Sequence, residues 1–461
     1  MNNKYNKLVK DTLIFALGSI GSKFILFFLV PLYTNCLTTE QYGIADLVFT
    51  IAQIFIPIIS LVIFDAVIRF GLENRKHPEN VLLVALIVWI GGLVILLVCM
   101  PFISMYTEIS EWKWYLYFYI IFNILLSIEL NYLKVKGKNF LYSCICITQT
   151  FCLAGLNIYL LLILKTGVSG YLLSNIVACM IASIIAFFIG NFIDDLKKAK
   201  FDPLLLKRML VYSSPLIFNN LAWWVIQSSD KVIVQLLLGS SMLGLYTVAT
   251  RIPSLINVAV SVFQQSWGIS AVVEMDSKNN KEFYSNVFNI FTCMVFASCI
   301  ALNGIIKPFM KVYVSDEFFL SWKFVPLLVC AAGFSAIAAY FGSIYGALKK
   351  SFNNMLSTVT SGILNIIVNF LLIPIIGVEG AVIGTFISYF YLAYIRMLDC
   401  LRYVKIDIDI KKLLINSGIV FVHAVMISCE YYIILATIIC SILFVEINVR
   451  VLANISKMKK E

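Results

Sequence analysis

The chain has 461 residues, of which 61% are hydrophobic and only 13% are charged. Soluble proteins carry roughly 25% charged residues, most of them on the surface, so this composition excludes a soluble enzyme, a secreted disulfide scaffold and a disordered protein. It predicts an all-α polytopic membrane protein, in which the apolar residues fill about 14 helices of roughly 20 residues each. The net charge of +10 fits Lys and Arg collected on one side of a membrane, so no nucleic-acid partner is expected.

In chain order, the apolar runs predict about fourteen spans with short connections between them. Alternate connections, beginning with the N-terminus, contain most of the 35 Lys and Arg residues. Because basic residues accumulate on the cytoplasmic side, both termini are expected in the cytoplasm. The predicted spans lie near residues 12–34, 42–70, 81–103, 114–133, 141–164, 168–193, 209–238, 243–273, 284–306, 324–348, 353–376, 378–402, 413–429 and 431–449.

Two hairpins have similar sequences and indicate an internal repeat. Gly43 follows a short turn after the first span, and Gly244 follows a short turn after the seventh. We interpret the repeat as two parallel six-helix lobes, 1–208 and 209–402, followed by a helix pair and a basic tail, 403–461. Parallel lobes are a known transporter plan, with the substrate site between them. The alternative is that a glycine before a helix is common in any bundle.

Charged residues inside predicted spans are the strongest functional signal, because each costs at least ~2.5–3.5 kcal/mol at the middle of a membrane helix. Lys23 lies midway along the first span, and Arg251 lies well inside the eighth. Asp230 and Arg251 stand at similar depths on neighbouring helices, so they could form an ion pair. Otherwise the two cations would bind an anion in a water-filled cavity, and phosphate suits both the Arg fork and the Lys point charge. Lys231 could join them or extend to the outer surface.

Other polar and helix-bending residues complete the candidate site. Prolines inside spans free backbone groups that a cavity or a neighbouring helix must satisfy, and Pro253 follows Arg251 closely. The cavity or ion-pair candidates, besides Asp230, are Asp46, Gln53, Glu129, Gln264 and Gln265, and the gating or hinge candidates are Gly43, Pro215, Gly244 and Pro253.

Catalytic, metal and cofactor chemistry are not expected. The longest hydrophilic stretch, Asp194–Arg208, is too short for a catalytic domain, and the sequence has no phosphate-binding loop of the ATPase type. With only two His, and with its 12 Cys scattered through apolar runs, the chain has no ligand spacing for a metal. We therefore predict no metal, no cofactor and no enzyme activity.

Several of these residues resemble the polysaccharide flippases of the Wzx type, in the multidrug/oligosaccharidyl-lipid/polysaccharide superfamily. The resemblance comprises Leu37-Thr-x-Glu40-x-Tyr42-Gly43, Phe64-Asp65-Ala-Val-Ile-Arg69-Phe70, Pro215, Ser229-Asp230-Lys231, and Leu238-Gly239 with Gly244-Leu-Tyr246-Thr-Val-Ala249. It implies a multi-pass protein of the bacterial plasma membrane that moves an undecaprenyl-diphosphate-linked oligosaccharide to the outer face by alternating access.

The same resemblance implies roles for particular residues and partners. In related lipid II flippases, cations of spans one and eight line the central cavity, and Lys23 and Arg251 match those places. The last two helices of those relatives hold the lipid tail, so 413–449 could do the same. Membrane lipids, and a glycan polymerase with chain-length machinery, would be partners. The alternatives are a cation-coupled multidrug exporter of the same fold and, further off, a membrane glycan polymerase.

Overall fold

In the computed structural model, residues 21, 23–73, 77–275 and 280–458 are described, and all regular secondary structure among them is helical. The predicted all-α membrane architecture is confirmed. Twelve described helices are long and apolar enough to cross a membrane, and two shorter apolar helices, Lys23–Cys36 and Ile433–Val449, lie at the first and last predicted spans. The count of fourteen spans stays a prediction, and the part of the first span before residue 21 lies outside the described residues.

The chain divides into two compact units, 1–224 and 225–461. The three-part division predicted at 208 and 402 stays a prediction. Helix α8 begins in unit 1 and ends in unit 2. The longer helices of unit 1 are α1 Lys23–Cys36, α2 Thr39–Ser60, α3 Ile63–Glu73, α4 Pro78–Ile103, α5 Lys113–Val135, α6 Asn139–Ile163, α7 Val168–Ile189 and the start of α8 Pro203–Leu238. Those that follow in unit 2 are α9 Ser240–Arg251, α10 Pro253–Val273, α11 Asn280–Tyr313, α12 Val325–Ala347, α13 Ser351–Ile376, α14 Val378–Cys400, α15 Ile410–Ser428 and α16 Ile433–Met458.

Local sequence explains where several of these helices begin. Thr38 and Gln41 form a capping box at the start of α2, in which the Thr38 hydroxyl accepts from the Gln41 amide at 3.2 Å. The Asp202 carboxylate, just before α8, accepts a hydrogen bond from the Leu204 amide. The Asp409 carboxylate, just before α15, accepts one from the Lys412 amide, and both hydrogen bonds are 2.9 Å long. These side chains satisfy amide groups that have no partner within the helix.

The second predicted span, 42–70, is wrong as a single helix. Leu61 and Val62 have φ values of 50° and 52°, which ends α2 and separates it from α3. The Ser60 hydroxyl donates to the Ile56 carbonyl at 2.7 Å and accepts from the Val62 amide at 3.1 Å. A hydroxyl that competes for backbone partners in this way favours a break over a continuous helix.

The eighth predicted span, 243–273, contains a second and milder break at Ile252, whose backbone keeps right-handed helical dihedrals (φ −68°, ψ −49°). Helix α9 ends at Arg251 and α10 begins at Pro253, which has no amide hydrogen to continue the ladder. Gly43 and Gly244 are both buried at the fifth position of their helices, α2 and α9. Pro215 lies inside α8, which stays helical through it, and its side chain is exposed.

Each unit packs around one central helix. In unit 1, α5 contacts α2, α3, α4 and α7; in unit 2, α12 contacts α10, α11, α14 and α15. Most of α12 is buried because small residues let its neighbours approach closely. A Cβ built at Gly333 would lie 2.9 Å from the Cys299 sulfur of α11.

The turn between α15 and α16 is attached to the end of α11 by an ion triplet. The Glu430 carboxylate lies 2.8 Å from the Lys307 ammonium and 3.3 Å from that of Lys323. Hydrogen bonds from these two lysines hold the pKa of Glu430 below its usual value. The group is exposed, so the triplet orients the turn and contributes little stability.

Candidate functional site

The two cations at the centre of the predicted site differ in exposure. Lys23 is exposed on α1, whereas Arg251 is half-buried at the end of α9, beside the break before Pro253. Lys231 is half-buried on α8. A charged group on the surface of an apolar helix faces water, a headgroup or a polar ligand, because hydrocarbon would not solvate it.

The predicted polar residues separate by exposure. Gln53 is exposed on α2, whereas Asp46, Glu129 and Asp230 are each no more than 5% exposed. Gln264 of α10 accepts a hydrogen bond of 2.6 Å from the Ser343 hydroxyl of α12. Gln265 lies on α10, but its side chain is outside the described residues. Only some of the predicted polar set can therefore face an open cavity in this conformation.

Asp230 is the centre of a buried polar cluster in unit 2. Its carboxylate accepts a very short hydrogen bond from the Tyr246 hydroxyl of α9 and one of 3.2 Å from the Thr385 hydroxyl of α14. The preceding residue, Ser229, donates to the Asn365 carbonyl oxygen at 3.2 Å, and Asn369 donates to the same oxygen at 2.9 Å. Three helices, α8, α9 and α14, therefore meet at the Asp230 carboxylate, and α13 joins the cluster through the neighbouring Ser229.

The expected ion pair between Asp230 and Arg251 is wrong: within the described chain the Asp230 side chain is bound by Tyr246, Thr385 and the Lys231 amide. The similar depth of Asp230 and Arg251 correctly indicated that α9 contacts Asp230, but it did not indicate which side of α9 does so. Arg251 follows Tyr246 by five residues, which is about 140° around a helix of 3.6 residues per turn. The tyrosine that faces Asp230 thus turns the arginine away from it.

Sequence analysis did not identify Arg396, which is 2% exposed near the end of α14. Its guanidinium donates to the Ala338 carbonyl of α12 at 3.0 Å, and to the Ser357 and Thr358 hydroxyls of α13 at 3.0 and 2.8 Å. One turn further on, Asp399 accepts from Tyr345 of α12 and Asn353 of α13, both at 2.8 Å. The signal was an arginine among apolar residues, but it lay close enough to the predicted span end at 402 to resemble a loop cation.

Glu129 on α5 is buried without a hydrogen-bonded partner. It is 1% exposed, and although Ser183 of α7 faces the carboxyl group, neither oxygen has a partner with hydrogen-bond geometry in the described chain. The residue was predicted as a polar cavity group, but the structure places it inside unit 1. An unsatisfied buried polar group is a cost to folding.

We expect Glu129→Leu to raise the free energy of unfolding by about 1–3 kcal/mol, because it removes an unsatisfied group and keeps its volume. Thermal unfolding of the purified protein in detergent measures the change. Glu40→Leu, at an exposed position of α2, is the control and should leave the midpoint unchanged. Earlier unfolding of Glu129→Leu would contradict this account of the carboxyl group.

Solved structures similar to this chain show which fold it has. The lipid II flippase MurJ in an inward closed conformation matches with a TM-score of 0.70 at 16% identity, over 96% of this chain and 100% of that one. The MATE transporter VcmN of Vibrio cholerae, as its D35N mutant, matches with a TM-score of 0.61 at 13% identity, over 87% of this chain and 98% of that one. The chain therefore has the same fold as these two transporters.

Sequence comparison gives the family itself. Residues 8–267 match the family described as polysaccharide biosynthesis protein, and the chain belongs to this family. A curated relative, the Lsg locus putative protein 1 of Haemophilus influenzae, is 23% identical over 270 residues, which cover 56% of this chain and 65% of the relative. The match thus spans just under two thirds of the relative's length. The predicted resemblance to polysaccharide flippases of the superfamily is confirmed.

Proposed function

We propose that the protein is a flippase for an undecaprenyl-diphosphate-linked oligosaccharide, which it moves from the cytoplasmic to the outer face of a bacterial plasma membrane by alternating access. Family membership and the fold of a lipid II flippase support this proposal. Both termini would lie in the cytoplasm, membrane lipids would surround the chain, and a polymerase with chain-length machinery would use the product. The protein would move its substrate without a catalytic step or a cofactor.

The observation that argues most strongly for an anionic substrate is the presence of two cations on membrane helices, the exposed Lys23 and the half-buried Arg251. A diphosphate and its sugars cannot cross hydrocarbon unaided, whereas a prenyl chain can remain in it. The protein therefore needs a polar route for the headgroup only. Arg251 would bind phosphate oxygens with two donors, and Lys23 would add a mobile charge. Lys231 and Gln53 are further polar contacts for the headgroup.

Alternating access requires a place where the chain can bend. The break between Arg251 and Pro253 puts such a place beside a proposed phosphate ligand. The break between α2 and α3 would be its counterpart in unit 1. Gly43, Gly244 and Pro215 remain candidates for the motion, since a few residues that absorb backbone change are sufficient for a hinge.

The test is movement of a fluorescent undecaprenyl-diphosphate oligosaccharide across proteoliposomes that contain the purified protein. The proposal predicts that this lipid reaches the opposite leaflet, while a cationic dye under the same gradient does not move. Movement of the dye without movement of the lipid would contradict it and favour the multidrug exporter, which needs an acidic site for its cationic substrates.

We further expect Asp230 to link transport to an ion gradient. A buried carboxylate that holds three helices together through neutral groups changes those contacts when it gains or loses a proton or a small cation. Asp230→Asn keeps the shape and removes the titratable charge. Transport by this variant should no longer respond to an imposed proton or sodium gradient.

Initial rates with and without each gradient measure this dependence. Glu282→Gln, at an exposed position of α11, is the control and should respond as the wild type does. An unchanged gradient response in Asp230→Asn would remove Asp230 from the coupling mechanism.

A further inference from the structure

Unit 2 contains a large apolar groove between α10 and α11. Its volume is about 680 Å³, which is within the range of roughly 300–1,000 Å³ that small-molecule sites have. Among the described residues that line it, Ser298 is the one with a polar side chain, and its hydroxyl donates to the Met294 carbonyl of its own helix at 2.8 Å. The groove therefore offers apolar surface and no free polar group to an occupant.

The sequence explains why a groove forms here. Small residues occupy exposed positions on the facing helices, with Ala259 on α10 and Ser298 and Ala301 on α11. Large residues border them, and the rings of Phe263 and Phe291 stack with centroids 4.1 Å apart. The small side chains leave the space of the groove open, while the stacked rings of Phe263 and Phe291 hold α10 and α11 together.

The groove begins one helical turn after Arg251. Ile252, between α9 and α10, keeps right-handed helical dihedrals (φ −68°, ψ −49°), so the helical periodicity continues across the interruption. Residues 251, 255 and 259 are spaced by four and so fall on one side of the α9–α10 stretch, and Leu255 and Ala259 both line the groove. Thus the cation proposed to bind phosphate and an apolar groove follow one another along α9 and α10. A lipid with an anionic headgroup and a long apolar chain matches this order, because its charge can meet the cation while its chain lies in the groove.

The last two helices, α15 and α16, which the resemblance implies as the site of the lipid tail, are joined to each other by hydrogen bonds. Asn416 of α15 and Asn448 of α16 exchange hydrogen bonds of 3.3 and 3.1 Å, and His423 lies 3.1 Å from the Thr437 hydroxyl. These polar contacts join α15 and α16 at two levels.

We propose that the groove between α10 and α11 binds the polyprenyl chain of the substrate while Arg251 holds its diphosphate. This assignment rests on the proposed flippase function and adds the tail site to it. Each buried methylene of the chain contributes about 0.8 kcal/mol, so even a few prenyl units in the groove add substantially to affinity.

The experiment uses a polyprenyl diphosphate with a photoreactive group on its chain, bound to the full-length protein in vesicles of phosphatidylethanolamine and phosphatidylglycerol. Peptide mapping should place the label on 253–273 and 280–313. Ala259→Trp and Ala301→Trp fill the groove and should lower this labelling by about tenfold, since exclusion of only two methylenes has that effect. Val312→Trp, at an 89% exposed position of α11 beyond the groove, is the matched control and should label as the wild type does.

A phospholipid with the same photoreactive group separates the substrate's chain from surrounding lipid. Equal labelling of the groove by this probe would overturn the assignment, and so would labelling by the prenyl probe on 410–458. Either result leaves the flippase proposal standing if the oligosaccharide is still transported. Absence of both labelling and transport would instead overturn the proposed function.

Discussion

Alanine at Arg251 or at Lys23 is expected to weaken binding of an undecaprenyl-diphosphate glycan by about ten- to hundredfold and to abolish its transport. A hydrogen bond to a charged group contributes about 1.5–3 kcal/mol, and phosphate contacts in a partly dehydrated site belong to this stronger class. Titration of the purified protein with the lipid in detergent gives the affinity.

Two variants make this result specific. Lys311→Ala removes an exposed cation at the end of α11 and should bind and transport as the wild type does. Arg251→Lys keeps the charge but loses the two-donor fork, so it should retain partial affinity. Wild-type binding by well-folded Arg251→Ala and Lys23→Ala proteins would mean that neither residue contacts the substrate.

Leucine at Arg396 should destabilise unit 2 more than any other change considered. The guanidinium is 2% exposed and joins α12, α13 and α14 through one carbonyl and two hydroxyl acceptors, with the Asn354 carbonyl at 3.3 Å as a further partner. Its removal leaves these groups unsatisfied at about 1–3 kcal/mol for each that water cannot reach. We expect the free energy of unfolding to fall by about 3–5 kcal/mol.

Thermal unfolding with a fluorescent thiol or tryptophan signal measures the loss. Arg402→Leu is the matched control. The Arg402 side chain is 75% exposed, and its ion pair with Asp399 is long, at 3.8 Å between nitrogen and oxygen. Because such an exposed ion pair contributes little stability, this variant should leave the unfolding midpoint nearly unchanged. Equal midpoints for Arg396→Leu and the wild type would show that the buried guanidinium does not stabilise the helix junction.

Composition and hydropathy predicted most of the fold, because the membrane requires long apolar helices and leaves few alternatives. The break at Leu61 and Val62 was not predictable from hydropathy, since the residues immediately on both sides of it are apolar. It depends on the Ser60 hydroxyl, whose hydrogen bonds replace part of the helix ladder. The break at Arg251 was indicated in advance by Pro253, because proline acts locally.

The site was less predictable than the fold. Sequence position gives the depth of a residue in the membrane but not the side of the helix that meets a given neighbour, which explains the wrong partner for Asp230. Its actual partners, Tyr246 and Thr385, are ordinary residues whose roles depend on tertiary contacts. Glu129 shows the same limit, because an acidic residue in a span can be buried in a unit or exposed in a cavity.

The most direct test of the account is the initial rate at which proteoliposomes move an undecaprenyl-diphosphate oligosaccharide, for the wild type and for the Lys23→Ala/Arg251→Ala double variant. The account predicts rapid movement by the wild type and none above protein-free vesicles by the double variant, at equal amounts of folded protein. Movement by the double variant at the wild-type rate would contradict a site in which these two cations bind the diphosphate.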